Sequence, residues 1–282
     1  MELMAIAFPG IDPVAIALGP VQVRWYGLAY LVGLVLGWLY MRALLRQDRL
    51  WAGAPPMRPE QTDDFLLWAT LGVVLGGRLG YVLFYEPIVF LSDPARIFMV
   101  WQGGMAFHGG LLGMIAAIAL FSRFNRVPFL SLGDITAAVV PIGLFFGRIA
   151  NFINGEVYGK ITDVPWAVEF PARVLNPGDV LGPRHPSQLY EAFLEGIVLF
   201  LVLRYLTHAR KSFATPGLTA GVFLVGYGAF RIFVETFFRV GSPFPFFPTP
   251  YLSAGLIYSL PMVVFGLYLI GVAVRRRPLV TQ

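Results

Sequence analysis

The sequence contains no cysteine, so it forms no disulfide, offers no thiolate to a metal and has no cysteine nucleophile of its own. Any thiol chemistry has to arrive with a substrate. Charge is scarce as well: Asp, Glu, Lys and Arg make up 13% of the 282 residues, against 57% hydrophobic residues. With a mean hydropathy of +0.70, the chain is too apolar for a soluble domain of its length, and an integral membrane protein is the class that fits. Histidines number three, and no HExxH or similar spacing supports a metal site. No GxSxG supports a serine hydrolase, and Ser187 beside His185 reads instead as an N-cap for a following helix. The net charge of +5 raises nucleic-acid binding. The basic residues sit beside apolar segments, however, which reports membrane orientation, so no nucleic-acid partner is expected. Residues 1–23 contain Glu2 and Asp12, no Lys or Arg, and Pro9, Pro13 and Pro20. They read as an interfacial lead-in rather than a cleavable signal.

What is abundant is apolar sequence in lengths of about 20 residues, enough for a spanning helix. Seven such segments are expected, near 25–44, 64–85, 107–124, 132–153, 188–206, 218–238 and 252–274. The fold class predicted is therefore an all-α integral membrane protein with seven transmembrane helices, one polytopic domain over 1–282. The connections alternate in charge. One set carries Arg42, Arg46, Arg49, Arg58, Arg123, Arg126, Arg204, Arg210, Lys211, Arg275, Arg276 and Arg277; the opposite set carries Arg24, Arg96, Lys160, Arg173, Arg184 and Arg239. The positive-inside rule then puts the N-terminus outside and the C-terminus in the cytoplasm. The longest outer connection, 155–186, is expected to form a small extracytoplasmic cap, and 242–253 an irregular segment at the lipid surface. No internal repeat is evident, which gives no support to a transporter built from inverted halves.

Arg78, Arg148 and Arg231 remain, and each falls inside an apolar segment at the outer depth. A charge in hydrocarbon costs at least ~2.5–3.5 kcal/mol on insertion scales, so such residues are functional candidates unless an ion pair accounts for them. Helical spacing supplies their company: Tyr227, Arg231 and Glu235 share one face, as do Arg78, Tyr81 and Tyr85. Gln188, Glu191 and Glu195 share another, with carboxylates able to balance the arginines. For Arg78 and Glu195 the ion-pair reading is preferred. Arg148 differs, because Asn151 and Asn154 follow it at one-turn intervals, then Gly155, Glu156 and Gly159, a pattern for a chain turning back over a polar pocket. An Arg fork with Asn donors suits a phosphate, and at that depth the natural phosphate is a phospholipid head group. His208 lies among cytoplasmic basic residues and reads as solvated. His108 is open between a base, a hydrogen-bond donor and a satisfied interfacial histidine, and His185 between a site residue and a helix cap.

The stretch "GRIANFINGEVYGK" (147–160) resembles the signature of the bacterial prolipoprotein diacylglyceryl transferase family. "RWYGLAYLVG" (24–33), "GGRLGYVLFY" (76–85), "GGMAFHGGLLG" (103–113), "RHPSQLYE" (184–191) and "GYGAFRIFVE" (226–235) extend the resemblance along most of the chain in order. Arg24 stands where some members have histidine, and the connection after Gly159 is shorter than in larger relatives. The resemblance implies a seven-helix inner-membrane enzyme with its site toward the outer leaflet. It implies transfer of the diacylglyceryl group of phosphatidylglycerol to the lipobox cysteine of a preprolipoprotein signal peptide, releasing glycerol phosphate, with membrane lipids as surroundings and no cofactor or metal. Carried over by position, the essential arginines fall on Arg148 and Arg231, the family histidine on His108, and the polar pocket on Tyr26, Asn151, Glu156, Tyr227 and Glu235. Arg78, Tyr81, Asn154, Gly159 and His185 complete the candidate substrate-binding set.

Overall fold

Many apolar side chains of the long helices are exposed, while Arg78, Asp134, Glu191, Glu195 and Glu235 are buried, an arrangement suited to a membrane solvent. The computed structural model describes residues 5–19, 21–84, 92–99, 104–239 and 253–276. Its helices are α1 (Trp25–Leu45), α2 (Gln61–Phe84), α3 (Phe107–Asn125), α4 (Phe129–Asn154), α5 (Ser187–Glu191), α6 (Leu199–His208), α7 (Leu218–Phe237) and α8 (Ala254–Arg275), with a π-helical turn, Ala192–Val198, joining α5 to α6. All seven expected apolar segments are helical where described, except Phe238 and Ser253 at segment ends. The helices α1, α2, α4, α7 and α8 are long and apolar enough to cross a membrane, while α3 is apolar but shorter. Tyr85 and most of 242–253 lie outside the described residues.

Two compact units are present, Met41–Gly133 and the remainder, Met1–Tyr40 with Asp134–Gln282. In the first, Leu67, Leu71, Leu75, Leu79 and Leu83 on α2 recur every fourth residue and are all strongly exposed, 60% at Leu67 and 62% at Leu83. That stripe is an exposed apolar face of the kind a helix crossing a membrane presents to lipid. On another face Gly72 and Gly76 pack against Gly113 of α3, where a methyl on Gly72 would stand 2.5 Å from the Gly113 carbonyl oxygen, the close backbone approach that small residues give helices in lipid.

In the second unit Asp134 on α4 ties down the start of α7. Its Oδ2 accepts the Gly217 N–H and its Oδ1 the Ala220 N–H, both at 2.7 Å. Gly217, the residue before α7, has no side chain with which to cap it, so the orphan donors of the first turn are satisfied from a neighbouring helix. The helices carrying Arg148 and Arg231 are thereby joined.

The strands were not foreseen. Residues read as a lead-in form β1 (Ile6–Ala7) and the antiparallel pair β2 (Val14–Leu18) and β3 (Val21–Arg24). From the 155–186 connection come β4 (Val168–Glu169) and β5 (Pro183–Arg184), giving a three-stranded sheet ordered β1-β4-β5 with β1 parallel to β4. Such two-residue strands carry too little alternation to be read from sequence. What holds the connection together is the buried Arg184, which donates to the Gly159 carbonyl at 3.2 Å and the Val180 carbonyl at 2.8 Å and lies 5.1 Å over the Tyr158 ring. Beneath it Phe8, Phe152, Phe170 and Tyr158 form one aromatic cluster.

Candidate active site

The site grows from the C-terminal end of α4. Gly155 takes φ +69°, the left-handed conformation, with the Gly155 N–H on the Phe152 carbonyl at 3.0 Å and the Glu156 N–H on the Asn151 carbonyl at 2.9 Å. This pair of bonds is the Schellman motif, and it folds Glu156 back toward the last turn. There the carboxylate accepts from Asn151 Nδ2 at 3.3 Å and Asn154 Nδ2 at 3.1 Å. The two amides expected to face a phosphate directly are thus held on Glu156. Gln188 fixes the same turn by donating to the Glu156 carbonyl at 2.5 Å.

Arg148, inside that helix, is bound to Glu191 at the end of α5 and Glu195 in the π-helical turn. Its Nη2 lies 3.1 Å from Glu195 Oε2 and its Nε 3.2 Å from Glu191 Oε2. Arg231 on α7 reaches the other oxygen of Glu191 and places its Nε 3.2 Å from Glu235 Oε2. Arg239 adds a third guanidinium, 3.5 Å from Glu191 Oε1. The burial is layered: the Glu191 and Glu195 side chains are 0% exposed and Glu235 3%, while the three arginines remain 15–17% exposed. Carboxylates form the floor and guanidinium groups the surface. The π-helical turn begins right after Glu191 and contains Glu195, and such widened turns are frequent at functional sites. Tyr227, buried one turn before Arg231, and Tyr26, whose hydroxyl is 3.1 Å from that of Tyr30, both lie within electrostatic reach of Arg148.

Gly159 is a crossing of backbones. Its N–H donates to the His185 carbonyl at 2.9 Å, and a methyl there would stand 2.7 Å from His185 Cβ and collide with the Phe238 carbonyl oxygen. Ser187 and His185 do not cap α5. Ser187 already lies in its first turn and donates to the Val157 carbonyl at 2.8 Å. Val157 has φ +62°, a rare value for a β-branched residue, and this bond holds it there. Trp166 donates to the Tyr190 hydroxyl at 2.6 Å, which in turn sits 3.1 Å from His185 Nδ1. Because the indole can only donate, the hydroxyl proton is free to go to a neutral His185.

Burial, and secondarily the Lys160 ammonium, holds the His185 imidazole below its ordinary 6.5. A depressed histidine stabilises the fold above the unfolded value and loses that contribution as pH falls through the folded one. Amide exchange in 155–186, corrected for intrinsic rates, should therefore rise on acidification from pH 7 to 5, and His185→Gln should remove that step.

In the other unit Arg78 is buried and donates to the carbonyls of Arg96 (2.5 Å), Ile97 (2.9 Å) and Gly104 (3.0 Å), with its guanidinium carbon 5.9 Å from the Tyr81 ring centroid. These bonds staple loops to α2. His108 is the second residue of α3, and its side chain lies outside the described residues. Sequence reasoning gave Glu191 and Glu195 only a balancing role and placed Arg239 among the loop charges. The missed signal was the spacing Arg231, Glu235, Arg239, which continues one helical face for another turn.

These features define a helical integral-membrane protein with an arginine-lined polar site set among apolar helices. A profile of the family described as prolipoprotein diacylglyceryl transferase matches residues 13–272. The chain is 51% identical over 273 residues to the phosphatidylglycerol–prolipoprotein diacylglyceryl transferase of Rhizobium meliloti (strain 1021), covering 96% of this chain and 95% of that one. It is 52% identical over 278 residues to the protein so named in Rhodopseudomonas palustris, covering 98% and 94%. The corresponding protein of Bradyrhizobium diazoefficiens is 50% identical over 278 residues, covering 98% and 96%. The chain belongs to the prolipoprotein diacylglyceryl transferase family, as the motifs around Arg148 and Arg231 led one to expect.

Proposed function

We propose that the protein transfers the diacylglyceryl group of phosphatidylglycerol to the lipobox cysteine thiol of a preprolipoprotein, as the names of its relatives indicate. The observation that carries the reading is the pinning of Arg148 and Arg231 to one buried carboxylate, Glu191. Arg148 Nη1 and Arg231 Nη2 make no hydrogen bond among the described residues. Arg148 is therefore fixed along its Nε–Nη2 edge and Arg231 through Nε and Nη1, and each keeps a donor that a phosphate clamp can use.

In the reaction the thiol sulfur attacks the glycerol carbon that bears the phosphate, the C–S bond forms and the C–O bond breaks. The bonding pair leaves on glycerol phosphate, so negative charge grows on the phosphate oxygens, where preorganised donors lower the barrier. Arg148 and Arg231 take that role, and the step balances without a cofactor. Tyr26, Tyr227 and Glu235 line the same pocket. Asn151, Asn154 and Glu156 shape its rim, and Gly159 and His185 support that rim. Arg78 and Tyr81 serve by ordering their loop. A thiol with pKa near ~8.5 is mostly protonated at neutral pH and has to lose its proton. His108 is assigned as the base. Its test is the pH–rate profile of His108→Gln, which should lose the limb near neutrality that wild type shows, and an unchanged limb removes it from that role.

The same reading puts seven helices across the bacterial inner membrane with the C-terminus cytoplasmic, as the distribution of arginines supports. It makes 1–282 one polytopic domain whose 155–186 region caps the outer end. The deciding experiment is mass spectrometry of a lipobox peptide incubated with the protein and phosphatidylglycerol. A diacylglyceryl mass gain on cysteine is expected, and peptide binding without that gain overturns the assignment.

A further inference from the structure

Glu191 bridges all three arginines of the site. It lies beneath Arg148, Arg231 and Arg239, is fully buried, and uses both carboxylate oxygens. With Glu195 and Glu235 the network holds three guanidinium groups and three carboxylates, so its formal charge is zero. A clamp made of the arginines alone would carry three positive charges in a low-dielectric setting, and that field would act unequally on the two phosphates of the reaction. The substrate is a phosphate diester bearing one negative charge, whereas the leaving glycerol phosphate is a monoester approaching two, so an uncompensated field holds the product harder than the substrate. Catalysis is served by donors that favour the transition state and not by a site that retains what it has made.

We propose that Glu191 is a positioning residue that quenches the clamp, leaving the directional hydrogen bonds of the arginines in place while cancelling the charge that would trap the phosphate product. This rests on the transferase reading above. Glu191 touches no reacting atom and acts through Arg148 and Arg231.

The test uses the full-length protein in phosphatidylglycerol-containing detergent micelles, with glycerol 1-phosphate as the probe, measured both as an inhibitor and by direct binding. Glu191→Gln keeps the volume and one acceptor but removes the charge. The inhibition constant for glycerol 1-phosphate should fall at least about tenfold, with a smaller change in KM for phosphatidylglycerol, and kcat should fall with a burst of first-turnover product. A merely structural Glu191 predicts the opposite sign, because loosened arginines bind phosphate less well. Adding Arg239→Gln to Glu191→Gln returns the network to neutrality and should bring the inhibition constant back toward wild type. Glu195→Gln removes a different carboxylate of the same network and has to shift the constant in the same direction, which decides the matter if the first variant does not fold. An inhibition constant that is unchanged or raised in the folded variants overturns the proposal. If wild-type protein binds glycerol 1-phosphate but forms no thioether, it is the transferase reading that fails.

Discussion

Arg148→Ala should lower thioether formation by about 10³-fold or more, the loss found when a guanidinium that stabilises charge on a transferring or departing phosphate is removed. Arg148→Lys should not rescue it. The guanidinium spans two carboxylates through Nε and Nη2 while leaving Nη1 for a ligand, and an ammonium has no planar fork with which to do all three. Removing one partner of a buried network also leaves carboxylates uncompensated, at a cost of about 3–5 kcal/mol, so inactivity alone could be misfolding. The double variant Arg148→Ala/Glu195→Gln removes one charge of each sign. It should melt within a few degrees of wild type and still be inactive. Recovery of activity with stability would show that Arg148 serves the fold and not the chemistry. Arg231→Ala should behave alike, with Glu235→Gln as its balancing partner.

Gly159→Ala should be strongly damaging to the site although it adds one methyl and alters no charge. The methyl would meet the Phe238 carbonyl and the His185 backbone, both parts of main chain already bonded locally: Lys160 N–H to the Phe238 carbonyl at 2.8 Å and His185 N–H to the Lys160 carbonyl at 3.0 Å. Three segments would have to separate together. Overpacking of this kind costs about 1–3 kcal/mol or more, and the displaced strand β5 leads within a few residues to Glu191. A shift near 1 Å at the clamp is worth about 10²-fold in rate, so a fall of that order in kcat/KM is expected even in protein that remains folded. Gly155→Ala is the comparison. There the penalty is the left-handed φ, of order 1–2 kcal/mol, together with contact to the Val174 side chain at 2.9–3.0 Å, which can give way. A smaller loss at Gly159 than at Gly155 would contradict the crossing of backbones described above.

The helices were legible because hydrocarbon imposes length and composition together; α1, α4 and α7 begin and end within about three residues of the expected limits. The face shared by Tyr227, Arg231 and Glu235 was legible for the same reason that any helical face is, through 3.6-residue periodicity. Partners across helices were not. Nothing in the spacing of Arg148, Asn151 and Asn154 says that the asparagines turn to Glu156 while the arginine turns to α5. That choice depends on the Schellman turn at Gly155, which throws Glu156 back, and on which helix packs alongside. The carbonyl cage around Arg78 was hidden likewise, since backbone acceptors leave no mark in sequence. The small sheet joins residue 6 to residue 168, a pairing that local pattern cannot report.

Asp134 has a consequence for how the site keeps its dimensions. Fourteen residues separate Asp134 from Arg148 along α4, and fourteen separate Gly217 from Arg231 along α7. At 1.5 Å per residue both intervals are about 21 Å. The hydrogen bonds between Asp134 and the start of α7 therefore act as a common zero from which two equal rulers run to the two arginines. The connection between α6 and α7 reinforces that zero, since the buried Ser212 hydroxyl lies 2.8 Å from that of Thr219 in the first turn of α7, so a change there reaches Arg231 only if it shifts that turn against Asp134.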